Sequence, residues 1–178
     1  AGFIVGVVER SRLVDGRHIA PADVLIGLPS SGLHTNGYSL ARRVFFESCG
    51  WTPATMVPEL GQSIGDALLA THRSYLRPLM PLIDADIVKG MAHITGGGIT
   101  ENLPRVLPHG CGAQIDRRAW TVPALFGLLR SRGRIEDDEM VRVFNMGIGL
   151  ILVCAAGDQE RALALLAKGG ESAAVIIG

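Results

Sequence analysis

Six short apolar runs punctuate the chain, at Phe3 to Glu9, Val24 to Leu28, Ile87 to Ile94, Gly112 to Asp116, Gly149 to Cys154 and Ala174 to Ile177. Runs of this length bounded by turn residues read as strands, and the segments between them carry the three- and four-residue spacing of helices. Tyr38 to Ser48 is the clearest helix, with Leu40, Val44 and Phe45 on one face and Arg42, Arg43 and Glu47 on the other. Further helices are expected at Ser63 to His72, Tyr75 to Asp84, Ile99 to Val106, Val122 to Arg132, Asp137 to Phe144 and Gln159 to Lys168. Strict βαβ alternation with a single glycine-rich first turn is missing, which disfavours a dinucleotide-binding fold. The pattern predicts an α+β chain, a layered α/β/α sandwich on a mixed sheet, with residues 1–178 forming one domain.

Charge narrows the partners. The 17 basic and 17 acidic residues cancel, so no summed positive field invites nucleic acid or an anionic membrane, and small locally bound anions remain open. Cys49, Cys111 and Cys154 are odd in number and far apart, which argues against a disulfide framework and for a reducing cytoplasm. The apolar run from Gly147 to Ala156 is far shorter than the roughly 20 residues of a spanning helix. Both ends read as strands, the first without an initiator methionine or lead-in, so the chain reads as a piece of a longer protein.

Glycine, which makes up 23 residues, gathers with Ser, Thr, Asn and His at two strand-to-helix boundaries. The first, Ser30 to Ser39, joins a strand to the amphipathic helix and holds Ser31, Gly32, His34, Thr35 and Asn36. Glycine lets backbone approach a ligand, and free amides at a helix start favour an anion such as phosphate. A plain turn at Asn36-Gly37, with capping serines and a surface His34, is the competing reading. The second, Ala92 to Asn102, runs from a strand through Thr95, Gly96, Gly97 and Gly98 into a helix. Three successive glycines are conformationally costly and suit a loop that presents several amides, or else a hinge. His93 could face a ligand or sit satisfied in the core. A third boundary, Arg142 to Leu150, suggests structural roles for Gly147 and Gly149 and a ligand-facing Asn145.

Common catalytic machinery is missing. The chain has no G-x-x-x-x-G-K-[ST], G-x-S-x-G or H-E-x-x-H segment, and His18, His34, His72, His93 and His109 include no pair at metal-ligand spacing. No metal site is expected.

Gly27 to Ser39, Ala92 to Gly98 and Phe144 to Gly149 together resemble, in order and spacing, three signatures of the aminoimidazole ribonucleotide (AIR) synthetase family. Glu101 to Pro108 and Val7-Val8-Glu9 support the likeness, which spans essentially the whole chain as a C-terminal domain. The resemblance implies ATP-dependent ring closure of formylglycinamidine ribonucleotide to aminoimidazole ribonucleotide in purine biosynthesis. ATP phosphorylates the formyl amide oxygen, and an internal nitrogen then attacks and expels phosphate. Carried onto this sequence, it implies catalytic roles for His34 and His93. Phosphate or substrate binding would fall to Ser31, Gly32, Thr35, Asn36, Thr95, Gly96, Gly97, Gly98 and Asn145. It further implies ATP and Mg2+ held mainly by an N-terminal half carrying a G-T-D-G-V-G-T-K segment, a homodimer of the complete enzyme, and no turnover by this half alone. The related domain of formylglycinamidine ribonucleotide synthetase, another ATP-dependent superfamily member and a non-catalytic interaction module are the alternatives.

Overall fold

The structure, a computed structural model, describes residues 3–178. Its strands are β1 (Val24–Pro29), β2 (Met56–Val57), β3 (Gln62–Ser63), β4 (Gly90–His93), β5 (Ile148–Cys154) and β6 (Val175–Ile176). Its α-helices are α1 (Tyr38–Arg42), α2 (Ile64–Leu68), α3 (Leu76–Asp84), α4 (Gly98–Asn102), α5 (Ala124–Gly133), α6 (Asp137–Val143) and α7 (Gln159–Lys168). β2 and β3 make a small hairpin, and the main sheet runs β4-β5-β1-β6.

β5 organises the sheet because all seven of its residues are buried, which suits a central strand covered on both faces. β1 and β4 flank it and both run antiparallel to it, and β6 is antiparallel to β1. The α+β class is as the sequence predicts, while every pair of the expected mixed sheet proves antiparallel. Alternation sorts the side chains between two faces. Ile26, Leu28, Leu150 and Leu152 pack against α3 and α7. Leu25, Ile151 and Val153 face Ile19, Leu103 and the coil around Trp120. A third cluster, centred on Phe45, Phe126 and Met140, joins α1, α2, α5 and α6 beside the sheet.

Several sequence expectations shift in detail. Phe3 to Glu9 is coil without a ladder partner among the described residues, and the strand reading of the chain's first two residues lies outside them. Gly112 to Asp116 is also coil, tied at Asp116, whose amide donates to the Ile177 carbonyl at 2.8 Å. Tyr38 to Ser48 is helical throughout but widens from α to π after Arg42. There Phe45 stacks on Trp51 with centroids 5.5 Å apart. The helix expected over Ser63 to His72 stops at Leu68, leaving Leu69 to Ser74 as an open strap that carries His72. Among the described residues no helix is long and apolar enough to cross a membrane.

Candidate functional site

Strand direction brings the three glycine-containing boundaries together. Leu28 of β1 and His93 of β4 both pair with Leu150 of β5, from opposite sides. β1 and β4 therefore leave the sheet at the edge where β5 enters it. The loops after Pro29 and His93 and the one before Ile148 emerge side by side.

Asn145 ties two of them. Its side-chain amide donates to the Gly32 carbonyl at 2.9 Å, and its oxygen accepts from Ser30 Oγ at 3.0 Å and the Gly147 amide at 2.8 Å. It is buried, with both polar atoms engaged. The ligand-facing role expected for Asn145 gives way to a structural one, since a side chain so occupied has little left to offer. Asn102, which sequence reasoning passed over, does the same for the triple glycine. It accepts from Thr95 Oγ1 at 3.0 Å and donates to the carbonyls of Gly96 at 3.2 Å and Gly98 at 2.8 Å.

The glycines divide by role. A Cβ on Gly98 would lie 1.8 Å from the Val141 carbonyl oxygen, so this glycine allows α6 to approach, and its amide is spent on Thr95 O at 3.0 Å. Gly97 has φ +96, and a Cβ there would strike the Glu101 side chain. In this structure the exposed Glu101 carboxylate lies over the space through which phosphate is expected to approach. α4 spans only five residues, so its dipole adds little to anion binding. The amides of Gly96 and Gly97 have no hydrogen-bond partner among the described residues. Asn36 Oδ1 lies 3.5 Å from the position a Gly96 Cβ would take, which joins the two loops. Ser31 Oγ donates to the Thr71 carbonyl at 2.7 Å, and Thr35 is exposed.

His34 and His93 lie close together and differ in access. His34 is 4% exposed, in left-handed backbone at φ +59. Its Nε2 accepts from the Ser31 amide at 3.1 Å, and its Nδ1 is buried without a partner. Burial foremost, then repulsion from His72, His93 and Arg73, lowers its pKa to about 4. A neutral, enclosed imidazole is poorly placed to exchange protons with a ligand, and His93 differs in this respect. That residue is exposed at the end of β4, its pKa lowered by partial burial and by His72.

His72 completes the group, and only the fold could reveal it. Its ring packs on His34 with centroids 3.8 Å apart, and its Nε2 lies 3.2 Å from His93 Nε2. The strap carrying it is held at Arg73, which bonds the Pro29 carbonyl at 3.1 Å, pairs with buried Glu171 and covers the Tyr75 ring. Ligand nitrogens of His34, His72 and His93 fall within 4.8 Å of one another, a proximity sequence spacing excluded. Metal binding by all three is opposed by geometry. An imidazole ligates in its ring plane, whereas His34 and His72 are tilted by only 31° in a near-stacked pair and His34 Nε2 already serves Ser31. Mg2+, which takes oxygen ligands, does not fit an imidazole set.

Two clefts adjoin the site. One of about 360 Å³ borders Ser30, Ser31 and Gly32. An apolar one of about 440 Å³ lies beyond α4 against Trp120, Phe144 and Met146, away from the histidines.

This architecture places the chain among α+β domains that gather three loops at one sheet edge. It belongs to the family described as AIR synthase related protein, C-terminal domain, which matches residues 20–178. It is 51% identical over 176 residues to a phosphoribosylformylglycinamidine cyclo-ligase of Desulfitobacterium hafniense (strain DSM 10664 / DCB-2), covering 99% of this chain and 51% of that protein. It is 50% identical over 178 residues to the protein of that name in Sorangium cellulosum (strain So ce56), covering 99% and 51%. The chain thus spans about half the length of these curated relatives. E. coli HypE, a hydrogenase maturation protein, shares the fold at TM-score 0.52 and 20% identity, over 92% of this chain and 45% of that one. T. maritima PurL complexed with AMPPCP does so at TM-score 0.51 and 14% identity, over 97% and 24%.

Proposed function

We propose that the chain is the C-terminal half of a phosphoribosylformylglycinamidine cyclo-ligase and supplies the substrate- and phosphate-contacting loops of its active site. The observation that carries this reading is the convergence of the loops after β1 and β4 with the entry to β5, from three separate segments of the sequence. The names of the relatives at 51% and 50% identity support the chemistry. The acceptor is formylglycinamidine ribonucleotide. ATP, bound mainly by the other half of the complete enzyme, supplies the phosphoryl group that makes the formyl oxygen a leaving group.

This half binds and orients. The unpartnered Gly96 and Gly97 amides, with the Asn36 side chain beside Gly96, offer hydrogen bonds to anionic oxygens, and Thr35 of the first loop is exposed to add its hydroxyl. Glu101, exposed over Gly97, has to move aside to admit them. The attacking nitrogen must lose a proton during ring closure, and His93, exposed at the mouth of the site, accepts it. Mg2+ belongs with ATP in the other half, and the complete enzyme is a homodimer in the cytoplasm.

A full-length protein containing this chain should convert formylglycinamidine ribonucleotide to the aminoimidazole product with stoichiometric ATP hydrolysis. Replacing His93→Ala should lower kcat at least about 100-fold while leaving the melting temperature nearly unchanged. Full activity in that variant, or no turnover by the intact protein, would reject the assignment.

A further inference from the structure

We propose that His72 is a positioning residue that fixes the tautomer of His93, so that His93 presents Nδ1 to the ligand as its proton acceptor. The inference deepens the role just given to His93 and rests on it.

The direction of the chain follows from its anchored end. His72 Nδ1 lies 2.9 Å from the Arg73 carbonyl oxygen, which can only accept, so His72 Nδ1 carries a proton. A neutral imidazole has one, which leaves a lone pair on His72 Nε2. That atom faces His93 Nε2 at 3.2 Å, so His93 must donate from Nε2. Its own single proton is then placed, and the lone pair remaining on His93 is on Nδ1. Each bond has one donor and one acceptor, and the sequence closes on a backbone carbonyl. A proton taken up at His93 Nδ1 cannot travel on through His72, whose far nitrogen already holds a proton against an acceptor. The chain therefore orients His93 and leaves proton exchange at its open face.

Everything around His72 serves to hold that ring. His34 packs on one face at 3.8 Å, and Tyr75 meets it edge-on with the planes 86° apart. The carbonyl that starts the chain is kept in place because the Arg73 amide donates to Ser31 Oγ at 3.2 Å while its guanidinium bonds Pro29 and Glu171. Tyr75 adds a hydrogen bond to the same Pro29 carbonyl at 2.9 Å. A side chain kept only to fill space would not need a fixed acceptor behind one nitrogen and a second imidazole before the other. Ordering of this kind acts as outer partners do on metal-ligating or catalytic histidines, by choosing which nitrogen is free.

The test reads tautomers directly, by 15N NMR of the imidazoles in the 178-residue chain with chelator present. His72 should show its proton on Nδ1 and His93 on Nε2. His72→Phe should release His93 to a mixture of tautomers, whereas His72→Gln, whose amide oxygen can accept from His93 Nε2, should preserve the wild-type pattern. In the full-length enzyme, His72→Phe should lower kcat about 10- to 100-fold and move the acid limb of its pH profile, with KM little changed, and His72→Gln should restore most of the rate. A His93 proton on Nδ1 in the wild type, or the same His93 tautomer in both variants, overturns the proposal. These NMR outcomes decide it even if the intact protein proves to catalyse another reaction.

Discussion

At Gly149 the β5 backbone passes so close to the histidines that a Cβ would lie 2.0 Å from Tyr75 Oη and 2.4 Å from His34 Cε1. The strand cannot retreat, because the Gly149 carbonyl accepts from the Ile94 amide at 2.9 Å and its neighbours pair on both sides. Gly149→Ala should therefore cost about 1–3 kcal/mol by overpacking, measured by urea unfolding, and should disturb the His34–His72 pair. A neutral substitution would mean that the start of α3, which bears Tyr75, yields easily. His34 gives a pH signature of its own. Its folded pKa, near 4, lies below the ordinary 6.5, so its contribution to stability is complete above the unfolded value and is lost as pH falls through the folded one. The loss amounts to at most about 3 kcal/mol at about 1.4 kcal/mol per unit. His34→Asn, which tolerates the same left-handed backbone, should show a correspondingly shallower decline in stability between neutral pH and pH about 4. Equal slopes for the two proteins would show that His34 is not the group that charges.

Elements with strong local signals were legible before folding. The apolar runs of β1 and β5 and the amphipathic period of Tyr38 to Ser48 and Gln159 to Lys168 name their elements because burial enforces the pattern locally. Elements whose fate depends on distant partners were not. Phe3 to Val8 has strand composition but no neighbour to pair with among the described residues, and Gly112 to Asp116 meets the C-terminus at a single amide rather than along a ladder. The site was half legible for the same reason. Loop glycines and His93 announce themselves by composition, yet Asn145 and Asn102 reveal their tying roles only through partners, and those of Asn145 lie up to 115 positions away. His72 sits in a strap without motif, expected as helix, and acquires meaning only when Arg73 pins it beside His34 and His93. Side chains that orient others are selected for direction, and direction is a property of the fold.

For the molecule as a whole, the feature least reconciled with a solitary chain is its first described segment. Phe3, Ile4, Val5 and Val7 are 99%, 99%, 92% and 102% exposed, with apolar side chains on successive positions and a backbone that pairs with nothing described. A segment of that composition is primed to add to the edge of another sheet, where it would gain both main-chain hydrogen bonds and apolar burial. The main sheet leaves β4 and the two-residue β6 as its outer strands, so copies of this chain offer one another such edges. The chain should accordingly associate as its concentration rises, seen as a growing sedimentation coefficient. Deleting residues 1–9 should abolish the association and leave the thermal midpoint unchanged, because no side chain from Phe3 to Glu9 is buried and the Arg12–Asp84 ion pair at 2.7 Å survives the cut. A wild-type chain that stays monomeric at high concentration would remove the driving force supposed here. A deletion that lowers the midpoint by several degrees would place the segment against its own domain instead, at about 1 kcal/mol for each 2–4 °C in a chain of this size.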